Sequence, residues 1–386
     1  MNNDIGRIYA IDRVTQKDKD TGVEVTRLTD NQGHTRHPYF TQNLISEDGR
    51  SMLVTSDRTG SEQLYLLDLK RAQMVQLTAE VGPQSVRWVH SIGKVSAGGS
   101  PCLDGKRMIA YYWSNNVLKS VDLVSLKTDE YYRVPDGFVP GILSMTNDGQ
   151  YIDFVYSESV PLSTSTWMEH LYRRPASVVV RVSVQTKRAV AIWGEREWIS
   201  HVNTSPVDPD IVLFCHEGPW HLVQRMWVVR ISTGECWPLV EQETGLERAG
   251  HEFFTVSGKV AAQYAIRDTY ASEWRAANLL ISPDGSNRET YWFPAAQPNH
   301  IQVNHQETLA VGDSIFLNPD HADGINYIGL IKHERQKADL TLLCRHDTDW
   351  AITHPHPIFT PDDKNVIFDS TREGKANVYL APVLVE

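Results

Sequence analysis

The sequence predicts an all-β protein: a seven-bladed β-propeller, four antiparallel strands per blade, closed into a ring by its N-terminal strand. Three observations carry this. A turn signal recurs seven times at a spacing of roughly fifty residues. A short hydrophobic strand follows almost every turn, and an alternating strand follows that one. Helical periodicity is weak throughout, apart from a possible short helical turn near 163–172.

The turns are SEDG (46–49), CLDG (102–105), TNDG (146–149), PVDP (206–209), TVSG (255–258), NHQE (304–307) and TPDD (360–363). Asp-Gly and its relatives suit tight hairpins because glycine accepts positive φ. The strands that follow include SMLVTS, RMIAYYW, YIDFVYS, IVLFCHE, VAAQYAI, TLAVGD and NVIFDS. Outer strands alternate, as in QLYLLDL, VLKSVDL, VVVRVSV, MWVVRIS and NVYLAPV, and a fourth strand such as QMVQLTA completes a unit. The last unit lacks a fourth strand of its own. VEVTRLTD (23–30) can supply it, closing the ring and removing exposed edges. The expectation is one domain over 1–386.

Composition narrows the function classes. Hydrophobic residues at 41% and charged residues at 22% are ordinary for a globular protein. Eleven tryptophans and fifteen tyrosines suit carbohydrate-facing surfaces and packed sheets alike. A net charge of -11 argues against nucleic-acid binding, although local arginines and a cation can reverse the field inside one pocket. No stretch approaches membrane-span length, and the N-terminal residues have no apolar core of signal-peptide length. Four scattered cysteines without a CxxC spacing fit a reducing compartment, and the cytoplasm is expected. Oligomeric state is left open.

The histidines carry the phase of the repeat. His251, His300 and His356 each stand seven residues before the last residue of their turn, His201 eight before and His354 nine before. Equivalent positions in a propeller lie at equivalent heights, so these five side chains, from four consecutive units, converge on one mouth. A lone histidine at a strand start is ordinarily a solvated or hydrogen-bonded ring; shared phase is harder to dismiss. Three neutral imidazoles, His300, His354 and His356, make a metal site with room for water or substrate. His216, Glu217 and Arg225 in FCHEGPWHLVQRMW are further polar candidates. Arg225 could grip an anion with its fork or pair with Glu217 to tie down the loop. RHPYFTQN adds Arg36, His37, Tyr39 and Gln42, with His37 out of phase.

Across nearly its whole length the chain resembles the bacterial oligogalacturonate lyases. The markers are VTRLT, YLLDL, FCHEGP, RMW, HEFF, the block from His300 to LAVGD, and THPHPIFTPDD. FCHEGP, HEFF and THPHPxFTPDD together are specific. The resemblance implies a propeller that cleaves short pectin-derived uronides. It implies that His300, His354 and His356 hold a divalent metal, most often Mn2+ with Zn2+ or Ca2+ as alternatives. It makes His251 the general base and Arg225 a catalytic arginine near the substrate carboxylate. His201, His216, Glu217, Arg36, Tyr39 and Gln42 are the candidate substrate contacts. The partner expected is a small anionic oligosaccharide, with no nucleic acid and no membrane.

Two departures accompany the resemblance. The family's glutamine ligand, three residues before the first histidine of THPH, is here Ala351. The loop WHLVQRMW is one residue short and lacks the usual acidic residues. Another class of function therefore stands beside the lyase: a propeller binding a different uronic acid, or a protein, at the same mouth without catalysis. No GxSxG motif or α/β region supports a hydrolase or a peptidase-associated propeller.

Overall fold

A computed structural model describes residues 4–82, 100–160, 167–294, 298–314 and 326–383. Those residues are almost entirely β. Trp167–Arg173 is the one helix among them, and 163–166 of the expected helical turn lie outside the described residues. Among the described residues no helix is long and apolar enough to cross a membrane.

Among the described residues hydrogen bonding divides the strands into six sheets, most of them simple antiparallel meanders. The strands Phe138–Met145, Tyr151–Glu158, Ser177–Ser183 and Ala189–Glu195 form one; Ile199–Thr204, Ile211–His216, Met226–Arg230 and Glu235–Pro238 form the next. The eight-stranded sheet is two such meanders joined by a single parallel bridge, Trp292 to Lys337. Residues buried on both faces explain the apolar runs: Ile211–Phe214 and Val366–Phe368 are wholly enclosed.

The turn chemistry repeats as atoms as well as letters. In SEDG, TNDG and TPDD a hydroxyl donates to the aspartate two residues on, Ser46 to Asp48 and Thr146 to Asp148 at 2.6 Å, and Thr360 to Asp362 at 2.7 Å. Gly49, Gly149 and Gly258 take positive φ as expected, but Glu307 and Asp363 do so without glycine. CLDG departs from the pattern. Met108, not Gly105, is left-handed, and the next strand starts only at Ile109.

The N-terminal segment enters the last sheet as expected. Glu24–Arg27 pairs with Asn377–Pro382, Thr26 opposite Leu380. Two further edge strands were not expected. Val14–Lys17 adds to the outside of that sheet, and Ile8–Ala10 adds to the first sheet beside Gln73–Gln76.

The first strands of several meanders, and the segment after Thr35–Arg36, contribute to a shared centre. Phe40, Ile142, Phe253 and Ile358, from four different units, pack in one cluster. A cavity of about 410 Å³ lies among the turns on one side of that cluster, lined by Phe40, Gln42, Asn203, Phe253 and Gln302 among others. The histidines lie on the other side of Phe40.

Candidate active site

His300 stands immediately before the strand Ile301–Val303, and His354 and His356 shortly before Ile358–Phe359. Their rings meet: centroids are 4.2 Å apart for His300 and His356, and 5.3 Å for each of the other two pairs. One nitrogen from each lies within 4.8 Å of the others. Asp313 orients the set. Its carboxylate accepts from His300 Nδ1 at 2.8 Å and from the His300 amide at 2.8 Å, which leaves His300 Nε2 as the free donor atom for a ligand. His356 Nε2 is buried without a hydrogen-bond partner. Burial, then the neighbouring imidazoles, push the pKa values of His300 and His356 well below the usual histidine range. Neutral rings, a carboxylate behind one and an orphaned nitrogen on another fit a divalent cation. Ala351 is exposed and its amide is bound to Asp349 Oδ1 at 2.9 Å, so the protein offers nothing further from that position. Trp350 beside it lies 4.3 Å from the His354 ring.

His251 joins the same group, its ring 4.4 Å from His300. A bulge interrupts the register between Gly250 and Phe253, and His251 takes φ +51. Such conformations are costly for a residue with a Cβ and collect at functional sites. Its Nδ1 faces Asn299 O at 2.7 Å and Gln263 Oε1 at 2.9 Å, both acceptors, so Nδ1 carries the proton and Nε2 the lone pair. The Gln263 amide nitrogen donates to Pro298 O, which orients its oxygen. Burial, then the charge on Arg225, push the His251 pKa to about 4. The ring is a neutral base.

Trp220 braces this strand. Its indole lies so close over Gly250 that a Cβ there would come within 2.6 Å of it. The same indole stands edge-on to His251 at 4.7 Å, with the Arg225 guanidinium 5.3 Å from the ring.

Of the two roles open to Arg225, the tie is the one found. Its Nε donates to Glu252 Oε2 at 2.9 Å and its NH1 to Glu217 Oε1, both carboxylates being buried. Burial opposes its charge, but the two carboxylates outweigh burial and raise its pKa. The expectation of an open fork for an anion is corrected: two of its three nitrogens are committed inside the protein. NH2 reaches His201 Nδ1 at 3.3 Å and Glu252 Oε1 at 3.4 Å. His201, Cys215 and Glu252 also bring three ligand atoms within 4.8 Å, but Arg225 already supplies the cation there.

The remaining candidates divide. Tyr39 is in the site, stacked on His201 at 5.2 Å and edge-on to His356 at 5.0 Å. His37, although out of phase, lies 6.4 Å from His356. Glu217 is in the site but faces Arg225. His216 is turned away; its Nε2 meets Glu195 at 2.8 Å and its ring lies against Trp227 at 5.0 Å. Arg36 is committed to Glu62 at 3.6 Å. Gln42 lies beyond Phe40, in the cavity among the turns, and donates to Thr41 Oγ1 at 3.0 Å. Gln42, His216 and Arg36, expected as substrate contacts, thus meet protein partners in this structure. Sequence reasoning also missed Glu252, Asn299, Gln263, Trp220, Trp350 and Phe40. Asp313 was within reach, since LAVGD ends a strand on an aspartate that follows a phased histidine.

The chain is similar over nearly its whole length to known proteins. The family model for oligogalacturonate lyase matches residues 5–385. The oligogalacturonate lyase of Dickeya dadantii is 30% identical over 396 residues, covering 96% of this chain and 95% of that protein. A crystal structure of the oligogalacturonate lyase from Vibrio parahaemolyticus superposes with a TM-score of 0.85 at 26% identity, covering 98% and 99% of the two chains. An oligogalacturonate lyase in complex with manganese superposes at 0.83, with 26% identity and 98% of each chain covered.

Proposed function

Because the chain belongs to the oligogalacturonate lyase family, we propose that it cleaves short oligogalacturonides by β-elimination, with His251 as the general base. In this reading the meanders form one ring of seven blades closed by the N-terminal strand, and His300, His354 and His356 hold Mn2+ at its mouth. The observation that carries the reading is a neutral base beside a cation site: His251 presents an unprotonated Nε2, 4.4 Å ring to ring from His300.

The chemistry requires both. The C5 proton of a uronate is barely acidic while the adjacent carboxylate keeps its charge. His300, His354 and His356 would hold a divalent cation there, which would supply positive charge to offset that carboxylate and the charge that develops on it. His251 Nε2 takes the C5 proton, the C4–C5 double bond forms as the C4–O bond breaks, and the departing oxygen takes a proton from solvent at the open side of the site. Asn299 and Gln263 hold the ring and its tautomer. Arg225 acts from behind. Its NH2 donates towards His201 Nδ1 and so holds the ring on which Tyr39 stacks, while its charge adds to burial in favouring the neutral form of His251. Phe40, enclosed between the rings and the inner cavity, keeps water from reaching the base along the axis.

The test is direct. Purified protein with Mn2+ and digalacturonate or trigalacturonate should generate a conjugated product that absorbs in the ultraviolet, with activity removed by chelator and restored by Mn2+. Full turnover in protein shown by elemental analysis to be free of metal overturns the mechanism. The exposed Ala351 favours a second reading, a binding module with a decayed cation site. Purified protein that neither retains metal nor melts higher with Mn2+ would select it.

A further inference from the structure

The mouth has a rim beside His251 to which the elimination itself assigns no role. The strand Glu247–Phe254 runs past the base, and its register sets Glu247 opposite Ile266 and Arg248 opposite Ala265. Arg267 therefore follows at the same end of the sheet. Arg248 and Arg267 both rest on Trp274, their guanidinium carbons 4.8 and 4.5 Å from its ring centroid. His221 lies 6.4 Å from the same indole, and its carbonyl accepts from the Gly245 amide at 2.7 Å. Trp220, adjacent in sequence to His221, then contacts His251 at 4.7 Å. The rim and the base are one packed surface.

The charge on Arg267 is answered differently from that of the arginines buried elsewhere in the molecule. Arg225 has Glu217 and Glu252, and Arg181 has Asp153 at 2.7 Å. Arg267 donates through Nε to Gly245 O at 2.7 Å and through NH1 to Tyr270 O at 2.9 Å. Carbonyls orient the fork without cancelling its charge, and among the described residues no carboxylate pairs with Arg267. Burial, and after it the charge of Arg267, lowers the Arg248 pKa, so the two cations share one electrostatic space. In a chain with 48 acidic residues against 37 basic ones, carboxylate partners are plentiful. A guanidinium held on neutral carbonyls beside a second one is suited to an anion from outside.

We propose that Arg267, held on Trp274 beside Arg248, forms a second anion subsite that takes the carboxylate of a uronate ring next to the one being cleaved. The inference rests on the uronide reading above and adds a subsite to it. Arg248 precedes His251 by three residues, about 10 Å along an extended strand, which is too far for the ring whose proton is removed.

The experiment compares trigalacturonate with digalacturonate in the Mn2+-loaded full chain, for wild type, Arg267→Gln and Arg267→Lys. Arg267→Gln should raise KM for the trimer about tenfold, with a smaller rise on the dimer and the loss in KM rather than kcat. Arg267→Lys keeps the charge and should recover part of the loss. An unchanged trimer KM in Arg267→Gln overturns the subsite while leaving the lyase reading intact. Equal losses in both variants, accompanied by a lower Tm, make Arg267 a loop anchor and overturn it as well. A wild-type protein that cleaves no galacturonide removes the premise and the subsite together.

Discussion

Two polar clusters lie side by side in the site, and distance alone does not separate them. His300, His354 and His356 form one; His201, Cys215 and Glu252, with Arg225 among them, form the other, and each brings three ligand-type atoms within 4.8 Å. They differ in charge balance. The histidine cluster has neutral rings, one carboxylate behind it and a buried nitrogen without a partner. The second has two buried carboxylates closed around a guanidinium. The first is short of a cation and the second already has one. Donor spacing finds places where a metal fits; the charge already present decides whether one is needed.

Removing an imidazole from the first cluster should give the largest effect. His354→Ala is expected to lower lyase activity by about 10³-fold or more and to abolish the rise in Tm that Mn2+ produces in wild type. Retained activity together with a retained thermal shift would break the contrast at its root. His251→Ala should cost about 10²–10⁴-fold in kcat while the Mn2+-dependent rise in Tm persists, separating the base from the ligands.

The second cluster should answer in stability and not in metal. Glu252→Ala leaves Arg225 with half its compensation in a buried site. It should destabilise the fold by about 3–5 kcal/mol, read by denaturant unfolding, with the Mn2+ shift preserved. If Mn2+ instead failed to raise the melting temperature of Glu252→Ala, the two clusters would share one cation. The smallest effect sharpens the first cluster. Ala351→Gln should tighten Mn2+ binding by about tenfold, or about 1.4 kcal/mol, in a calorimetric titration, provided the longer side chain reaches the ion. No change would place the fourth ligand position elsewhere.

Much of this was legible from local chemistry. The hydroxyl-to-aspartate turns recur because the same backbone reversal needs the same hydrogen bonds, so 46–49, 146–149 and 360–363 advertise themselves. The phase of His251, His300 and His356 followed from that repeat, since one offset from a shared turn gives one height in the sheet. His37 broke the phase and still arrived 6.4 Å from His356, because it lies beyond the short strand Thr35–Arg36 on a segment that crosses toward the centre. That crossing also put Tyr39 with the histidines and Gln42 on the far side of Phe40, three residues apart in sequence and on opposite sides of a plug.

The sequence by itself determined the repeat, the β character and the residue types that gather at the mouth, because turn chemistry and strand alternation are set by near neighbours. Only the tertiary structure decided what each polar group meets there. Glu252 lies next to His251 in the chain, yet its partner is Arg225, 27 residues away. Asn299 holds the ring of His251 from 48 residues away. Whether an arginine is free for a substrate, or a histidine for a proton, depends on charges brought together by folding, and no local pattern records that pairing.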